Sequence, residues 1–428
     1  MGDLRAGTTT TAPRPRSLEE RLDRLAMVAL RVGVGFEHDD RLRLVGPLEA
    51  ADLMRRITVQ AYELGAAYVD VRYVDPHLSL ARARYAREET LDGFPTEQAD
   101  LAFTVAERGD ASITVSGKDP DALASADPAR VGRMNRAANR ALRATSDLAM
   151  ASHMPWTIVP FAVPAWARKV FPDASAAEAQ ARLWDAIFAA TRVDSDDPVA
   201  AWGAHATQLD ALAERLSREG FEALHVRGPG TDLRVGLARG HVWEGASSVS
   251  GVDGRRFVAN IPTEEVFTAP HAEHVEGTVR ASRPLSYGGQ VVDGFSFTFE
   301  GGTVVDYAAE RGASVLRALL ETDTGARRLG EVALVPHSSP IGAAGRLFYD
   351  TLFDENAASH LALGRGYPTT LRDGAARSSD ERSHAGLNDS LVHVDFMIGS
   401  AEMDVVGLLA DGDAVDVMRR GEWVLEGL

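Results

Sequence analysis

Cysteine is absent from the 428-residue sequence, which removes disulfides, thiolate nucleophiles and thiolate metal ligands from consideration. Any metal ion must therefore bind to histidine and carboxylate side chains. The sequence also lacks an apolar run of the roughly 20 residues needed to cross a bilayer, so a membrane protein is not expected. Basic residues are outnumbered, and a net charge of -17 would repel nucleic acid and anionic lipids.

Residues 1–16 lack the apolar segment and cleavage site of a signal peptide. They contain a run of four threonines followed by two prolines, and we expect a disordered tail and a cytoplasmic protein. The glycine triplet of dinucleotide-binding loops and the Lys-Ser/Thr of phosphate loops are missing. His-Glu-x-x-His and Gly-x-Ser-x-Gly are missing too, so zincins and α/β-hydrolases lack their signatures here.

The length of the chain exceeds the size at which one hydrophobic core usually stops growing, so two domains are expected. In residues 17–195, strand patterns such as 42–45 and 68–73 alternate with helical patterns. The first helical pattern follows a capping box formed by Ser17 and Glu20, and a long helix is predicted at 128–151. This alternation favours an α/β domain with a mainly parallel sheet flanked by helices. Residues 196–428 contain short strand patterns and helices predicted at 307–321 and 348–364, which indicate an α+β domain.

Metal-binding residue types cluster in five places in the second half of the sequence. These places are Glu264 with Glu265, Glu331, the stretch holding Asp354, Glu355 and His360, Tyr367, and the pair His393 and Asp395. Two histidines with several carboxylates are the ligands of two-metal hydrolytic sites that hold Zn²⁺, Co²⁺ or Mn²⁺. The C-terminal half is therefore the expected metal-binding domain.

His393 and Asp395 lie two residues apart in an alternating apolar run, so in a strand both side chains point to the same face. Taken alone, such a pair more commonly marks a strand face exposed to solvent. Glu331 interrupts the apolar stretch 329–335. A carboxylate in a buried strand costs several kcal/mol unless it is paired, which implies a cation or another partner.

Glu355 and His360 are five residues apart, which separates them by about 140° on an ideal helix. They share a face only if Glu355 lies at the entrance of the predicted helix. A capping role is an alternative for Asp354. A surface turn after Pro-Thr would explain both Glu264 and Glu265 without any chemistry.

Four further histidines are candidates for metal binding by residue type alone. We expect each to be a polar surface residue: His271, His274, His337 and His384.

Several longer stretches, in the same order, resemble the aminopeptidase T, aminopeptidase S and PepS family of metallo-aminopeptidases. The matching stretches are 260–268, 329–336, 352–360 and 393–400, and the similarity extends toward the N-terminus through 183–188 and 230–233. It covers nearly all of the chain after the tail.

The resemblance implies two divalent ions, which are Zn²⁺, Co²⁺, Mn²⁺ or Mg²⁺. It implies six ligands, namely Glu265, Glu331, Glu355, His360, His393 and Asp395, with Glu331 shared between the ions. Glu265 is selected over Glu264 because it lies 66 residues before Glu331, the spacing typical of the family. Tyr367 matches the catalytic tyrosine of the family, although the segment from Tyr367 to His393 is slightly longer than usual.

The expected function is removal of the N-terminal residue from short peptides, with Glu331 as general base and Tyr367 as oxyanion stabiliser. The family fold also implies a homodimer whose active sites face an internal cavity. Two other functions stay open. One is a non-haem Fe(II) ring-cleaving dioxygenase, for which His360, His393 and a glutamate would suffice; the other is a peptide-binding protein without catalysis.

Overall fold

The computed structural model of the protein describes residues 16–425. The predicted tail at 1–16 lies outside the described residues except for Arg16. In the described part of the chain, no helix is both long and apolar enough to span a membrane.

The N-terminal half is built around a parallel four-stranded sheet in the order β2-β1-β3-β4. Its strands are β1 (Arg41–Pro47), β2 (Tyr68–Val74), β3 (Ala111–Ser116) and β4 (Trp156–Pro160). The helices are α1 (Leu18–Val28), α2 (Ala51–Glu63), α3 (Pro76–Tyr85), α4 (Thr96–Glu107), α5 (Pro128–Ala141), α6 (Arg143–Met150), α7 (Pro164–Val170) and α8 (Ala176–Ala190). The next helix, α9 (Pro198–Glu219), packs most of its buried residues into the core of the C-terminal half.

Several of these helices begin where the sequence supplies a cap. Ser17 and Glu20 form a reciprocal capping box at the start of α1, as the sequence predicts. Asp127 and Asp197 cap α5 and α9, and each is followed by a proline at the first helical position. Proline is favoured there because its fixed φ suits the helix and its missing N–H is not needed.

The C-terminal half consists mainly of antiparallel strands. They are β5 (Ala223–Gly228), β6 (Thr231–Leu237), β7 (Ser247–Val249), β8 (Arg256–Val258), β9 (Val266–Thr268), β10 (Pro270–Arg280), β11 (Leu285–Tyr287), β12 (Gln290–Val292), β13 (Ser296–Glu300), β14 (Thr303–Ala308), β15 (Leu329–Leu334), β16 (His360–Gly364), β17 (His393–Met397), β18 (Asp404–Leu408), β19 (Ala414–Arg419) and β20 (Glu422–Trp423). Its helices are α10 (Ala313–Leu320), α11 (Thr351–Asp354) and α12 (Ser379–His384).

These strands form one large sheet and one small sheet, besides two short hairpins. The large sheet has eight strands in the order β14-β13-β10-β6-β5-β18-β19-β20, and the small sheet has the order β17-β16-β15-β9. The predicted fold class, an α/β half followed by an α+β half, is confirmed. The small sheet carries the candidate site.

The helix predicted at 348–364 is wrong. The chain there forms the single turn of α11, then a 3₁₀ turn at Glu355–Ala357, and then strand β16. All five residues of β16 are buried. A strand buried on both faces has no alternating pattern, so periodicity alone does not distinguish it from a buried helix.

Two other predicted helices are wrong in part. The stretch 307–321 begins in β14, and α10 starts only after Gly312, whose φ of 84° lies in the left-handed region and interrupts a helix. The stretch 128–151 is divided into α5 and α6 at Leu142, which departs from helical geometry with ψ 6°.

Two large apolar clusters form the core of the molecule. One lies in the C-terminal half, and the other lies around the parallel sheet but also includes Phe348 and Phe353 from the segment between β15 and β16. The two halves are therefore packed against each other through this segment. The boundary between residues 195 and 196 stays a prediction.

Candidate metal centre

The small sheet divides its side chains between the core and a cavity. Alternate residues of its strands point into the C-terminal core, and they are Val266, Val332, Leu334, Leu361, Leu363, Val394 and Phe396. The intervening positions of β15, β16 and β17 carry Glu331, His360, His393 and Asp395, and Glu265 directly precedes β9. Because side chains alternate along a strand, these polar groups share the opposite face.

The register of the small sheet brings the carboxylates together around small residues. Ala362 lies opposite both Glu331 on β15 and Asp395 on β17, and Ala333 lies opposite His360. Residues directly opposite each other in neighbouring strands point to the same face. The two alanine methyl groups therefore leave space between the longer polar side chains.

Two three-residue groups meet at Glu331. Glu265, Glu331 and His360 have ligand atoms within 4.8 Å of one another, and so do Glu331, His393 and Asp395. The Nε2 atom of His360 lies 3.0 Å from Oε2 of Glu265 and 3.4 Å from Oε1 of Glu331.

The second group is built in the same way. Nε2 of His393 lies 3.7 Å from Oε2 of Glu331 and 3.3 Å from Oδ1 of Asp395. The two carboxylate oxygens of Glu331 thus face different histidines.

Backbone carbonyl groups orient both histidine rings. Nδ1 of His393 donates a hydrogen bond to the carbonyl oxygen of Arg365 (2.7 Å), and Nδ1 of His360 contacts the carbonyl of Ala358 (3.2 Å). In each ring Nε2 is left to face the carboxylates, which is how metal-binding histidines are usually held. The approach of residue 365 requires Gly330, because a Cβ there would lie 2.3 Å from the Arg365 carbonyl oxygen.

The neighbours Glu264 and Glu265 point to different partners, and neither forms the surface turn weighed as an alternative. Both are buried. The carboxylate of Glu264 accepts a hydrogen bond from Arg192 (2.7 Å) and lies 3.5 Å from His205. Only Glu265 faces His360, so the two adjacent carboxylates have different electrostatic surroundings.

Glu355 lines the same cavity but belongs to neither three-residue group. It lies in the 3₁₀ turn before β16, and its Oε1 accepts a hydrogen bond from the Asn260 amide (3.4 Å). Burial raises the pKa of Glu355 well above its usual value, and Asp395 and Glu265 raise it further. Asp354 instead points away and accepts backbone hydrogen bonds from Phe348 and Asp350.

The cluster has the electrostatics of a cation site. Burial alone would lower the pKa of His393, but the carboxylates of Asp395 and Glu331 outweigh it and raise the pKa to about 9. Within residues 16–425, Oε2 of Glu265 and Oδ1 of Asp395 are buried and have no hydrogen-bond donor apart from the histidine rings that they face.

Because Nδ1 of His393 donates its proton to the Arg365 carbonyl, Nε2 of a neutral ring would present a lone pair to the carboxylates, and the contact is favourable only with a positive charge at Nε2. That charge is a proton on the ring or a metal ion that replaces it. The residues present therefore fit divalent metal ions.

Tyr367 lies at the edge of this cluster. Its ring contacts that of His393 edge-on, with centroids 5.2 Å apart, and that of Phe267 at 5.6 Å. Burial raises the pKa of Tyr367 well above its usual value, and the charge of Glu331 adds to the effect. The phenol therefore keeps its proton and remains a hydrogen-bond donor.

A cavity of about 260 Å³ opens onto all seven of the residues predicted for the site. Its wall also includes Trp156 and Ile158 from β4, so the parallel sheet closes one side. Glu244 and Asn260 line the cavity as well, and sequence reasoning missed both as site residues. Asn260 begins the first stretch of family resemblance, but Glu244 lies in an irregular segment with no regular spacing to reveal it.

The four other histidines do not join the centre. His274 and His384 are exposed, as predicted, and His337 is half-buried. The surface prediction for His271 is wrong, because its ring is buried and stacked on that of His274 with centroids 3.7 Å apart.

Comparison with known proteins identifies the family to which the chain belongs. Residues 18–423 match the family described as thermophilic metalloprotease (M29), and the chain belongs to that family. It is 50% identical over 406 residues to aminopeptidase T of Thermus aquaticus, covering 95% of this chain and 99% of that protein. Aminopeptidase 2 of Geobacillus stearothermophilus is 46% identical over 410 residues, with 95% and 98% covered.

A solved structure of wild-type AmpT from Thermus thermophilus superposes with a TM-score of 0.87 at 47% identity. The match covers 96% of this chain and all of that one. The predicted family and the predicted class, a metallo-aminopeptidase among the hydrolases, are confirmed. The family match favours peptide hydrolysis over both the dioxygenase and the non-catalytic alternatives.

Proposed function

We propose that the chain removes the N-terminal residue from short peptides with the help of two divalent metal ions. The observation that carries the proposal is the meeting of two three-residue groups at Glu331. Glu265 and His360 would hold one ion, His393 and Asp395 the other, and Glu331 both. Glu355, which lines the same cavity, would complete the set.

The ions, when bound, would polarise the peptide carbonyl and lower the pKa of the attacking water. The chain's own residues supply the remaining steps. The Glu331 carboxylate orients the water, accepts its proton and returns that proton to the leaving amine as the C–N bond breaks. The Tyr367 hydroxyl donates a hydrogen bond to the oxyanion that forms at the carbonyl carbon, an interaction commonly worth about 3 kcal/mol when such a donor is removed.

Oxygen and nitrogen ligands without sulfur are compatible with Zn²⁺, Co²⁺, Mn²⁺ or Mg²⁺. The proposal includes a cytoplasmic homodimer whose active sites face an internal cavity, and this part rests on the family resemblance. Light scattering coupled to size-exclusion chromatography tests the dimer directly, because a monomer mass would contradict it.

The decisive experiment measures release of free amino acid from aminoacyl-p-nitroanilides and dipeptides. Chelator-stripped protein receives Zn²⁺, Co²⁺, Mn²⁺, Mg²⁺ or Fe²⁺ in separate reactions. Cleavage restored by one of these ions and abolished in Glu331→Gln, but kept in the exposed control Glu402→Gln, is the expected result. A different result would contradict the proposal. If no ion restores cleavage and the Fe²⁺-loaded protein consumes oxygen with an aromatic substrate, the dioxygenase function is supported instead.

A further inference from the structure

The cavity at the metal centre contains more negative charge than the proposed ions need. Five carboxylates line it: Glu244, Glu265, Glu331, Glu355 and Asp395. None of the lining residues that the structure describes is a lysine or an arginine. Four of the five belong to the proposed ligand set, and their four negative charges balance two divalent ions. Glu244 is the carboxylate left over.

Glu244 lies close to the reacting groups. Its backbone pairs with that of Phe267 through two hydrogen bonds, of 2.9 and 3.0 Å. Phe267 follows the proposed ligand Glu265 by two residues and packs against the ring of Tyr367. The side chain of Thr369, two residues after Tyr367, donates a hydrogen bond to the Glu244 carboxylate.

The carboxylate of Glu244 lacks a cation of its own. Burial raises its pKa to about 7, and the charges of Glu331 and Asp210 act in the same direction. No lysine or arginine lies beside it in the described lining of the cavity. A carboxylate held in a cavity at such a position is stabilised by a cation that enters from outside.

Every substrate of an aminopeptidase carries one positive charge at the same place, the α-ammonium group next to the scissile bond. We propose that Glu244 binds this α-ammonium group and thereby restricts hydrolysis to the first peptide bond. The inference rests on the proposed function, because it uses the two-ion charge balance and the position of Tyr367. Glu244 is in this sense a specificity-determining residue.

The alternative origin of this specificity is a neutral α-amino group bound to one of the metal ions. The two arrangements differ in the dependence of KM on pH. If Glu244 binds the ammonium, KM rises as the substrate loses its proton near pH 8. If a metal ion binds the free amine, KM falls over the same range.

The test compares wild type, Glu244→Gln and Glu402→Gln, each loaded with the ion that restores activity. Glutamine keeps an acceptor for Thr369 but removes the charge. The measurements are kcat and KM for leucine-p-nitroanilide between pH 6 and 9, competitive inhibition by isoamylamine, and metal content by elemental analysis. Isoamylamine resembles leucine without its carboxyl group and so reports recognition of the ammonium.

The expected result in Glu244→Gln is a rise of about 10- to 100-fold in KM and in the inhibition constant of isoamylamine. Metal content stays unchanged, the rise of KM with pH disappears, and the preference for leucine-p-nitroanilide over its N-acetyl derivative decreases. Glu402→Gln behaves as wild type, since its side chain is exposed outside the cavity.

Unchanged KM and amine inhibition in Glu244→Gln would overturn the inference while leaving the aminopeptidase function intact. A wild-type KM that falls between pH 8 and 9, where a carboxylate with a pKa of about 7 is already ionised, would overturn it as well. If the wild type cleaves no peptide substrate with any ion, the proposed function fails. Calorimetric titration of isoamylamine into metal-loaded wild type and Glu244→Gln then decides the inference, because equal affinities would contradict it.

Discussion

Two adjacent buried glutamates allow the structure to be tested by one pair of isosteric substitutions. Glu264→Gln removes the charge that faces Arg192, and Glu265→Gln removes the charge that faces His360. The chemical change is identical, and the positions are neighbours in sequence. The structure nevertheless predicts that Glu264→Gln loses stability and keeps its metal, whereas Glu265→Gln loses metal.

Glu264→Gln is expected to destabilise the fold without loss of metal. Arg192 retains an amide oxygen as acceptor but loses its charged partner, and both side chains are largely buried. Weakening such a charged hydrogen bond should lower the free energy of unfolding by about 2 to 3 kcal/mol. This is less than the cost of removing one partner of a buried ion pair outright. With an unfolding entropy of about 0.9 kcal/mol per kelvin for 428 residues, Tm falls by roughly 2 to 4 °C.

Glu265→Gln is expected to lose metal instead. Calorimetry with and without chelator separates the two effects, because bound ions stabilise only the folded protein. Chelator should lower the Tm of wild type and of Glu264→Gln equally, whereas in Glu265→Gln the drop should be smaller, because only the ion proposed for His393 and Asp395 is left to be removed. Elemental analysis should agree. Equal metal loss in both variants, or full metal content in Glu265→Gln, would refute the assignment.

The remaining predictions concern catalysis, the ions and pH. Tyr367→Phe should lower kcat by about 100-fold with unchanged metal content, and equal loss of both would contradict its role. Chelation of wild type should remove about 2.7 kcal/mol of stability for each ion that is present at 100 times its Kd, measured as a drop in Tm. Burial, and next the stacked His274, lower the pKa of His271, so the unfolded chain gains the proton first and stability falls as pH drops below about 6.5. His271→Asn keeps an acceptor for the Glu273 N–H, and its Tm should fall less between pH 8 and 5.5 than that of wild type or the exposed control His384→Asn.

The parallel sheet of the N-terminal half could be predicted because each of its elements shows a regular period. Strand patterns at 42–45 and 68–73 correspond to β1 and β2, and the apolar period between them corresponds to α2. The capping box at Ser17 correctly predicts the residue at which α1 begins. Such local signals are sufficient where one face of an element is buried and the other is exposed.

The connection between Glu355 and His360 could not be predicted in this way. A helix through both residues would separate their side chains by about 140°, so the two side chains would not face one metal centre. The chain instead leaves a 3₁₀ turn at Ala357 and enters β16, so both side chains reach one cavity from different elements. A strand that is buried on both faces shows no alternation of apolar and polar residues, so its conformation depends on tertiary packing and cannot be read from the local sequence.

The role of each carboxylate depends on groups that lie far away in sequence. Glu264 and Glu265 are chemically identical, yet Arg192, 72 residues earlier, neutralises one of them, while the other faces a histidine on β16. Glu244 shows the same dependence, since its position becomes informative only when the other four carboxylates of the cavity are assigned. Spacing along the chain therefore selects candidate ligands, but the positive charge that each carboxylate faces determines whether it stabilises the fold, holds a metal ion or binds the substrate.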